Sequence, residues 1–307
     1  MTTDSSPAPP HSVTFGIKTS PIHVAYADVL RVWREADAIP EIAHSWLFDH
    51  LLPIYGDPSG PMLEGWTLLA ALAAQTERLG LGLIVTSNRF RPPALLAKIA
   101  ATTDVISGGR LTLGIGVGSA PGHPAARREY DAHDIPLIAH RDADSLQEAC
   151  TIITRLWTED DPFDFDGAHH HLRGAHCNPK PAQAPRPPIL IGGWGERTLR
   201  VVARHADIWN LPGAPLNDAD ELLRRSQMLD EACAEVGRDP RTIERSVQIG
   251  VDYDDLPRTL ADVATAMQTG FTHIVLALPA PYPDRIAQAI RDEVIAPAVH
   301  RVASDAG

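Results

Sequence analysis

The sequence predicts a (β/α)8 barrel of the TIM type, an α/β fold closed around a single core. Three observations carry this. Eight short apolar runs alternate with eight longer helical patterns along the whole chain. The runs are apolar almost throughout, as strands buried on both faces of a parallel sheet are. No Gly-x-Gly-x-x-Gly turn opens the first helix, which disfavours an open doubly wound sheet and leaves a barrel.

The elements follow in order. VTFGIK (13–18) leads to a helix at Tyr26–Ile39, and SWLF (45–48) to one at Met62–Leu79. The second helix is rich in alanine and leucine and stops at a glycine. LGLIV (81–85) precedes Ala94–Ser107, and LTLGIG (111–116) precedes Arg141–Trp157. PILIGG (188–193) leads to Glu196–His205, and DIWNL (207–211) to Asp218–Val236. SVQIGV (246–251) leads to Leu256–Thr269, and HIVLAL (273–278) to Asp284–Val302. Two stretches read as irregular. Ser119–His140 follows the fourth strand, and Asp160–Pro188 is an insertion segment between helix 4 and strand 5. Loops of that length in a compact domain are usually functional.

Composition sets the bounds. The 307 residues suit one barrel domain at 12–307, behind a polar, proline-rich tail at 1–11 expected to be disordered. A net charge of −12 argues against nucleic acid or an anionic membrane surface as partner. The first residues lack the basic and apolar regions of a signal peptide, and no apolar stretch is long enough to span a bilayer. Cys150, Cys177 and Cys233 are odd in number and far apart, making neither a disulfide framework nor a metal spacing, so a reducing cytoplasm is expected.

Barrel active sites lie at the C-terminal ends of the strands. That rule selects Lys18 and Thr19, Asp49 and His50, Thr86 to Asn88, Gly118 and Ser119, Gly192 to Gly195, Asn210, Asp252, and Pro279 to Tyr282. The Ser107-Gly108-Gly109-Arg110 turn has the look of a phosphate loop, but it precedes a strand and belongs to the opposite, structural face. Asp49-His50 reads either as a proton-moving histidine oriented by its neighbour or as a strand-end pair that packs and caps. Gly192-Gly193-Trp194-Gly195 runs straight into a helix. It reads as a phosphate cradle, where free amides attract an anion, or as a tight strand-to-helix turn. Gly114, Gly116 and Gly118 weaken their strand unless something lies close to the backbone, as a flat ring would. His169, His170 and His171, with His176 and Cys177, invite a metal reading, but adjacent histidines converge poorly on one ion and no metal is expected. Trp33 and Trp157 read as core.

At this point the residues resemble a known family. PMLEGWTLLAALAAQTERLGLGLIVTSNRFRPPALLAKIAATTDVISGGRLTLGIGVG is similar to the bacterial-luciferase-like monooxygenases, and most to the branch that depends on the deazaflavin coenzyme F420. CNPKPAQAPRPPILIGGWGERTLRVVARHADIWN and SWLFDHLLP resemble the same branch. The match extends from about Phe15 to Asn210, and the rest agrees in layout alone.

The resemblance implies F420 or, alternatively, FMN, and commonly a homodimer. It implies that His50 is the proton partner beside the ring, with Asp49 supporting it or touching the cofactor. It implies that Ile84, Val85, Thr86, Asn88, Gly116, Val117 and Gly118 line the ring, and that Gly192, Gly193, Trp194 and Gly195 hold the phosphate. It also implies a non-prolyl cis peptide within Leu83–Val85. Three positions depart from the family. Ser119 stands where the sugar-phosphate dehydrogenases of the family carry a glutamate. Trp194 stands where a third glycine is usual, and Tyr130-Asp131 replaces the usual Tyr-Gly.

The expected reaction is hydride transfer between reduced F420 and a small organic substrate. The alternatives are an FMN-dependent monooxygenase using oxygen, a non-catalytic carrier of a flavin-type cofactor, and an aldolase or isomerase of a phosphate substrate, for which Lys18 is the one strand-end lysine. The substrate is expected to meet Ser119–His140, the segment from Asp160, and Pro279–Tyr282.

Overall fold

The computed structural model describes residues 11–119, 124–136, 142–213 and 218–305. The expected tail lies outside the described residues apart from His11. The strands are β1 (Thr14–Lys18), β2 (His44–Leu47), β3 (Gly80–Leu83), β4 (Thr86–Ser87), β5 (Leu111–Gly116), β6 (Phe163–Asp166), β7 (His171–Ala175), β8 (Ile189–Gly192), β9 (Ile208–Leu211), β10 (Glu244–Gly250) and β11 (His273–Ala277). Eight of them run round in the order β1, β2, β3, β5, β8, β9, β10, β11, and β11 pairs with β1 again. The pairs are parallel, and the barrel closes between β3 and β5 through Leu81 opposite Leu111 and Gly82 opposite Thr112. This is the (β/α)8 barrel expected from the alternation.

The helices are α1 (Tyr26–Asp37), α2 (Gly65–Ala73), α3 (Pro93–Ser107), α4 (Pro124–Ala132), α5 (Asp142–Thr158), α6 (Glu196–His205), α7 (Ala219–Val236), α8 (Leu256–Gln268), α9 (Ile286–Ile290) and α10 (Ala296–Asp305). Their apolar faces and the outer faces of the strands form the main core. Trp46, Ile84, Leu190, Ile208 and Val275 fill the barrel interior.

Local chemistry explains where elements stop. α2 is shorter than the expected Met62–Leu79 because Glu64 caps its start, accepting from Trp66 N and Thr67 N. Past its end, the amides of Glu77, Arg78 and Leu79 turn to the Asp37 carboxylate instead of continuing the helix. The last expected helix is interrupted by one wide π-type turn at Arg291–Ile295 before α10. Pro297 follows at the start of α10, where its missing N–H removes one bond to the preceding turn.

The two stretches read as irregular are partly ordered. Residues 124–132 form α4, and β6 and β7 pair as an antiparallel hairpin inside the insertion. The alternation in Phe163-Asp164-Phe165-Asp166 is the signal for that hairpin, and its turn is closed by Gly167 N donating to His170 O. The Ser107–Arg110 turn is structural, as expected. The Arg110 guanidinium donates to the carbonyls of Ala73, Thr76 and Leu79, tying the bottom of β5 to the end of α2.

Candidate active site

A cavity of about 480 Å³ opens at the C-terminal ends of the strands. Phe48, Asp49, His50, Ile84, Val85, Gly116, Val117, Gly118 and Ser119 line one side, and Gly192, Gly193, Trp194, Gly195, Thr198, Asn210, Pro212 and Gln248 the other. Most of the expected site residues therefore share one space. Thr86 and Asn88 do not border it. Thr86 is fully buried, and its hydroxyl donates to Asp49. Asn88 turns away and donates to Ser145 Oγ at 3.1 Å. Ser87, between them, lines the cavity.

His50 Nδ1 lies 2.9 Å from Glu129 Oε2. The Glu129 side chain is wholly buried, and its Oε1 also accepts from the backbone amides of Leu51 and Leu52. A buried carboxylate with such donors is an acceptor, so the Nδ1–H of His50 is directed to it. Nε2 is left for a ligand.

Asp49 borders the cavity, and of the two parts expected of it the support of His50 is not the one its contacts serve. It does not orient His50. The Asp49 carboxylate is taken by Arg91, at 2.5 Å, and by Thr86, while His50 turns to Glu129. Arg91 also pairs with Glu64, the cap of α2. Burial pushes the Asp49 carboxyl up from its ordinary value, and Arg91 pulls it back. Asp49 is thus the anchor of the strand end from which His50 projects.

The peptide between Ile84 and Val85 is cis, within the stretch where the resemblance puts one. Val85 packs on two glycines. A Cβ on Gly116 would lie 2.9 Å from Val85 Cγ2, and one on Gly192 3.0 Å from Val85 Cγ1. Valine and bare backbone together make a smooth apolar wall that accommodates a flat ring. Gly193, after β8, adopts φ +139°, a conformation glycine tolerates. The turn is held by Trp209 Nε1 donating to Gly193 O at 2.7 Å. Gly195 precedes α6 with no side-chain cap, so the first amides of that helix remain available to an anion beside the Thr198 hydroxyl. Trp194 is 39% exposed on the cavity rim.

Sequence reasoning missed Glu129, Arg91, Phe48, Phe90 and Gln248. Arg91 was legible as a charge straight after the third strand. Glu129 lies inside the Ser119–His140 stretch, which reads as irregular in the sequence. Of the segments expected to meet substrate, Ser119 lines the cavity, whereas the β6–β7 hairpin and Pro279–Tyr282 do not; residues 120–123 and 137–141 lie outside the described residues. The three adjacent histidines sit at the hairpin, where His170 meets Ser145 Oγ at 3.2 Å and His171 meets Asp166 at 3.5 Å.

The luciferase-like monooxygenase family matches residues 12–298 of this sequence. The chain belongs to that family. It is similar to the phthiodiolone/phenolphthiodiolone dimycocerosates ketoreductase of Mycobacterium kansasii, 31% identical over 210 residues, covering 66% of this chain and 54% of the relative. The chain thus spans about half the length of the curated relatives it matches.

Among solved structures, an F420-dependent secondary alcohol dehydrogenase in complex with an F420-acetone adduct superposes with a TM-score of 0.81 at 18% identity, over 94% of this chain and 99% of that one. The coenzyme F420 dependent tetrahydromethanopterin reductase of Methanopyrus kandleri gives 0.77 at 16%, over 93% and 99%. A monooxygenase from Streptomyces bottropensis gives 0.70 at 20%, over 92% and 99%. At these identities the likeness is one of fold. The barrel is one shared by F420-dependent proteins and by luciferase-like monooxygenases.

Proposed function

We propose that the protein transfers a hydride between reduced coenzyme F420 and an organic substrate, with His50 as the proton partner. The observation that carries this reading is His50, held at Nδ1 by buried Glu129, in the same cavity as the glycine turn that opens α6. Gly192, Gly193, Trp194, Gly195, Thr198 and the first amides of α6 would hold the phosphate. Ile84, Val85, Gly116, Val117 and Gly118 would bear on the ring. When bound, F420 supplies two-electron hydride chemistry and activates oxygen poorly.

The chain's own residues do the rest. His50 Nε2 gives or takes the proton at the substrate, and Glu129 stabilises the imidazolium when His50 carries it. The Asp49–Arg91–Glu64 chain fixes the strand end. Phe48, Ile84, Phe90 and Val117 keep that side of the cavity apolar. Ser119 has no acidic proton to offer near neutral pH, which leaves His50 with the task. The ketoreductase name of the mycobacterial relative is in keeping with reduction.

A second reading is an FMN-dependent monooxygenase, favoured by the likeness to the Streptomyces bottropensis monooxygenase. Titrating purified protein with F420 and with FMN, followed by fluorescence, separates the two. Tight binding of FMN alone, with oxygen consumed in turnover, overturns the F420 reading. Binding without redox change across a broad panel of acceptors would instead mark a carrier.

We further propose a cytoplasmic homodimer. No helix among the described residues is long and apolar enough to cross a membrane. Leu95, Val105 and Ile106 are exposed along α3 and offer an apolar face to a second copy.

A further inference from the structure

Directly behind the cavity lining, bonded to it but not itself bordering the open space, stands a cation that the reading above does not use. Lys18 ends β1, which stands opposite β8 in the ring of strands, across the mouth from the glycine turn. Its ammonium donates to Gln248 Oε1 at 2.5 Å and lies 5.9 Å from the centre of the Phe48 ring. Gln248 and Phe48 both line the cavity.

A chain of oriented groups holds that ammonium in place. Gln248 Nε2 donates to Asn210 Oδ1 at 2.8 Å, and Asn210 Nδ2 donates to Ser246 Oγ at 2.8 Å. Ser246 Oγ is in turn 2.8 Å from His273 Nδ1. Because the Gln248 amide nitrogen is committed to Asn210, its carbonyl oxygen must face Lys18 and accept. Lysine carries three donors, and the amide takes one of them.

Among the described residues no carboxylate pairs with Lys18. Burial lowers its pKa to about 8, so about nine-tenths of it stays protonated at pH 7. A half-buried cation facing only a neutral amide and an aromatic ring is poorly compensated, and an anion brought to it recovers the missing interaction.

We propose that Lys18 is the substrate-recognition residue of this cavity, and that it selects small organic molecules bearing a carboxylate or another acidic oxygen. This deepens the reading above and rests on it only for the half of the cavity assigned to the cofactor. The ammonium fixes the acidic oxygen beside Phe48. The remainder of the substrate then extends toward His50, whose ring is 5.7 Å from that of Phe48.

The test compares matched anionic and neutral probes on the full chain by calorimetry, with and without F420: benzoate against benzamide, and butyrate against butyramide. Wild type is expected to prefer the carboxylate by about tenfold or more, as a charge-assisted contact in a sheltered site should. Lys18→Met should bring the ratio near one, and Lys18→Arg should retain most of it. Gln248→Glu, which supplies a counter-charge in place, should also cancel it while leaving Lys18 intact.

Equal binding of acid and amide by wild type overturns the proposal, as does a preference that survives in both Lys18→Met and Gln248→Glu. A tenfold loss of F420 affinity in Lys18→Met with the probe ratio unchanged also overturns it, because the anion held would be the cofactor's own. Failure of F420 to bind, with a Lys18-dependent probe preference intact, overturns the cofactor reading and upholds this one.

Discussion

His50 Nδ1 and Glu129 Oε2 stand 2.9 Å apart, one three residues past β2 and the other on α4, 79 residues later in the chain. The carboxylate therefore sets which imidazole nitrogen faces the cavity. Glu129→Gln keeps the shape but removes the charge that stabilises the imidazolium. Turnover should fall by about tenfold or more, in the range of lost general acid–base help, while cofactor affinity stays within about twofold. Steady-state kinetics beside a fluorescence titration reads both. Unchanged turnover would remove Glu129 from the account.

His50→Ala deletes the proton partner itself. The expected loss in turnover is about 10²- to 10⁴-fold, with cofactor binding largely intact, because the glycine turn follows β8, three places from β2 in the ring. Equal losses in turnover and in cofactor affinity would mean that the side chain binds and does not catalyse.

Arg91→Leu tests the role given to Asp49. The Asp49 carboxylate is wholly buried and would be left without its cation. Breaking one side of a buried pair costs about 3–5 kcal/mol. Chemical denaturation should show that loss, and a cost below about 1 kcal/mol would mean that Asp49 is compensated by Thr86 alone.

The barrel was legible because its strands are buried on both faces and its helices are long, so the eight-fold alternation survives in the sequence. The glycine turn after β8 was legible for a related reason: backbone that must come near a ligand shows as glycine. The partners of the site were not. Asp49 and His50 are adjacent in sequence, which suggests that one serves the other, but tertiary packing gives each its own partner, Arg91 for Asp49 and Glu129 for His50. Glu129 reaches its partner only through tertiary packing of α4, a helix of nine residues with few apolar side chains in PAARREYDA. Lys18 and Asn210 could be singled out by position, whereas Gln248 sits mid-strand and shows its bond to Lys18 only once the barrel is closed.

Gly193→Ala tests the turn. The residue has φ +139°, and an added Cβ would lie 2.9 Å from Thr198 Cγ2. The strain should cost about 1–3 kcal/mol of stability and displace the turn that precedes α6. Cofactor affinity should fall by more than the stability loss alone explains. Substitution with no change in affinity would place the phosphate elsewhere.

The buried histidine pair predicts an acid limit to stability. His44 and His273 stack in the barrel with ring centres 4.0 Å apart and planes 3° from parallel. Burial lowers both, His273 to about 4 and His44 well below its ordinary value, the latter also repelled by its neighbour. The folded state thus holds both neutral, while the unfolded chain protonates near pH 6.5. Between pH 6.5 and about 4 the unfolded state binds more protons, so stability falls as pH drops through that window. His273 alone accounts for about 3 kcal/mol across it. His273→Gln should flatten the decline of unfolding free energy between pH 6.5 and 4, measured by urea denaturation at each pH. An identical slope in wild type and variant would assign the acid sensitivity to other groups.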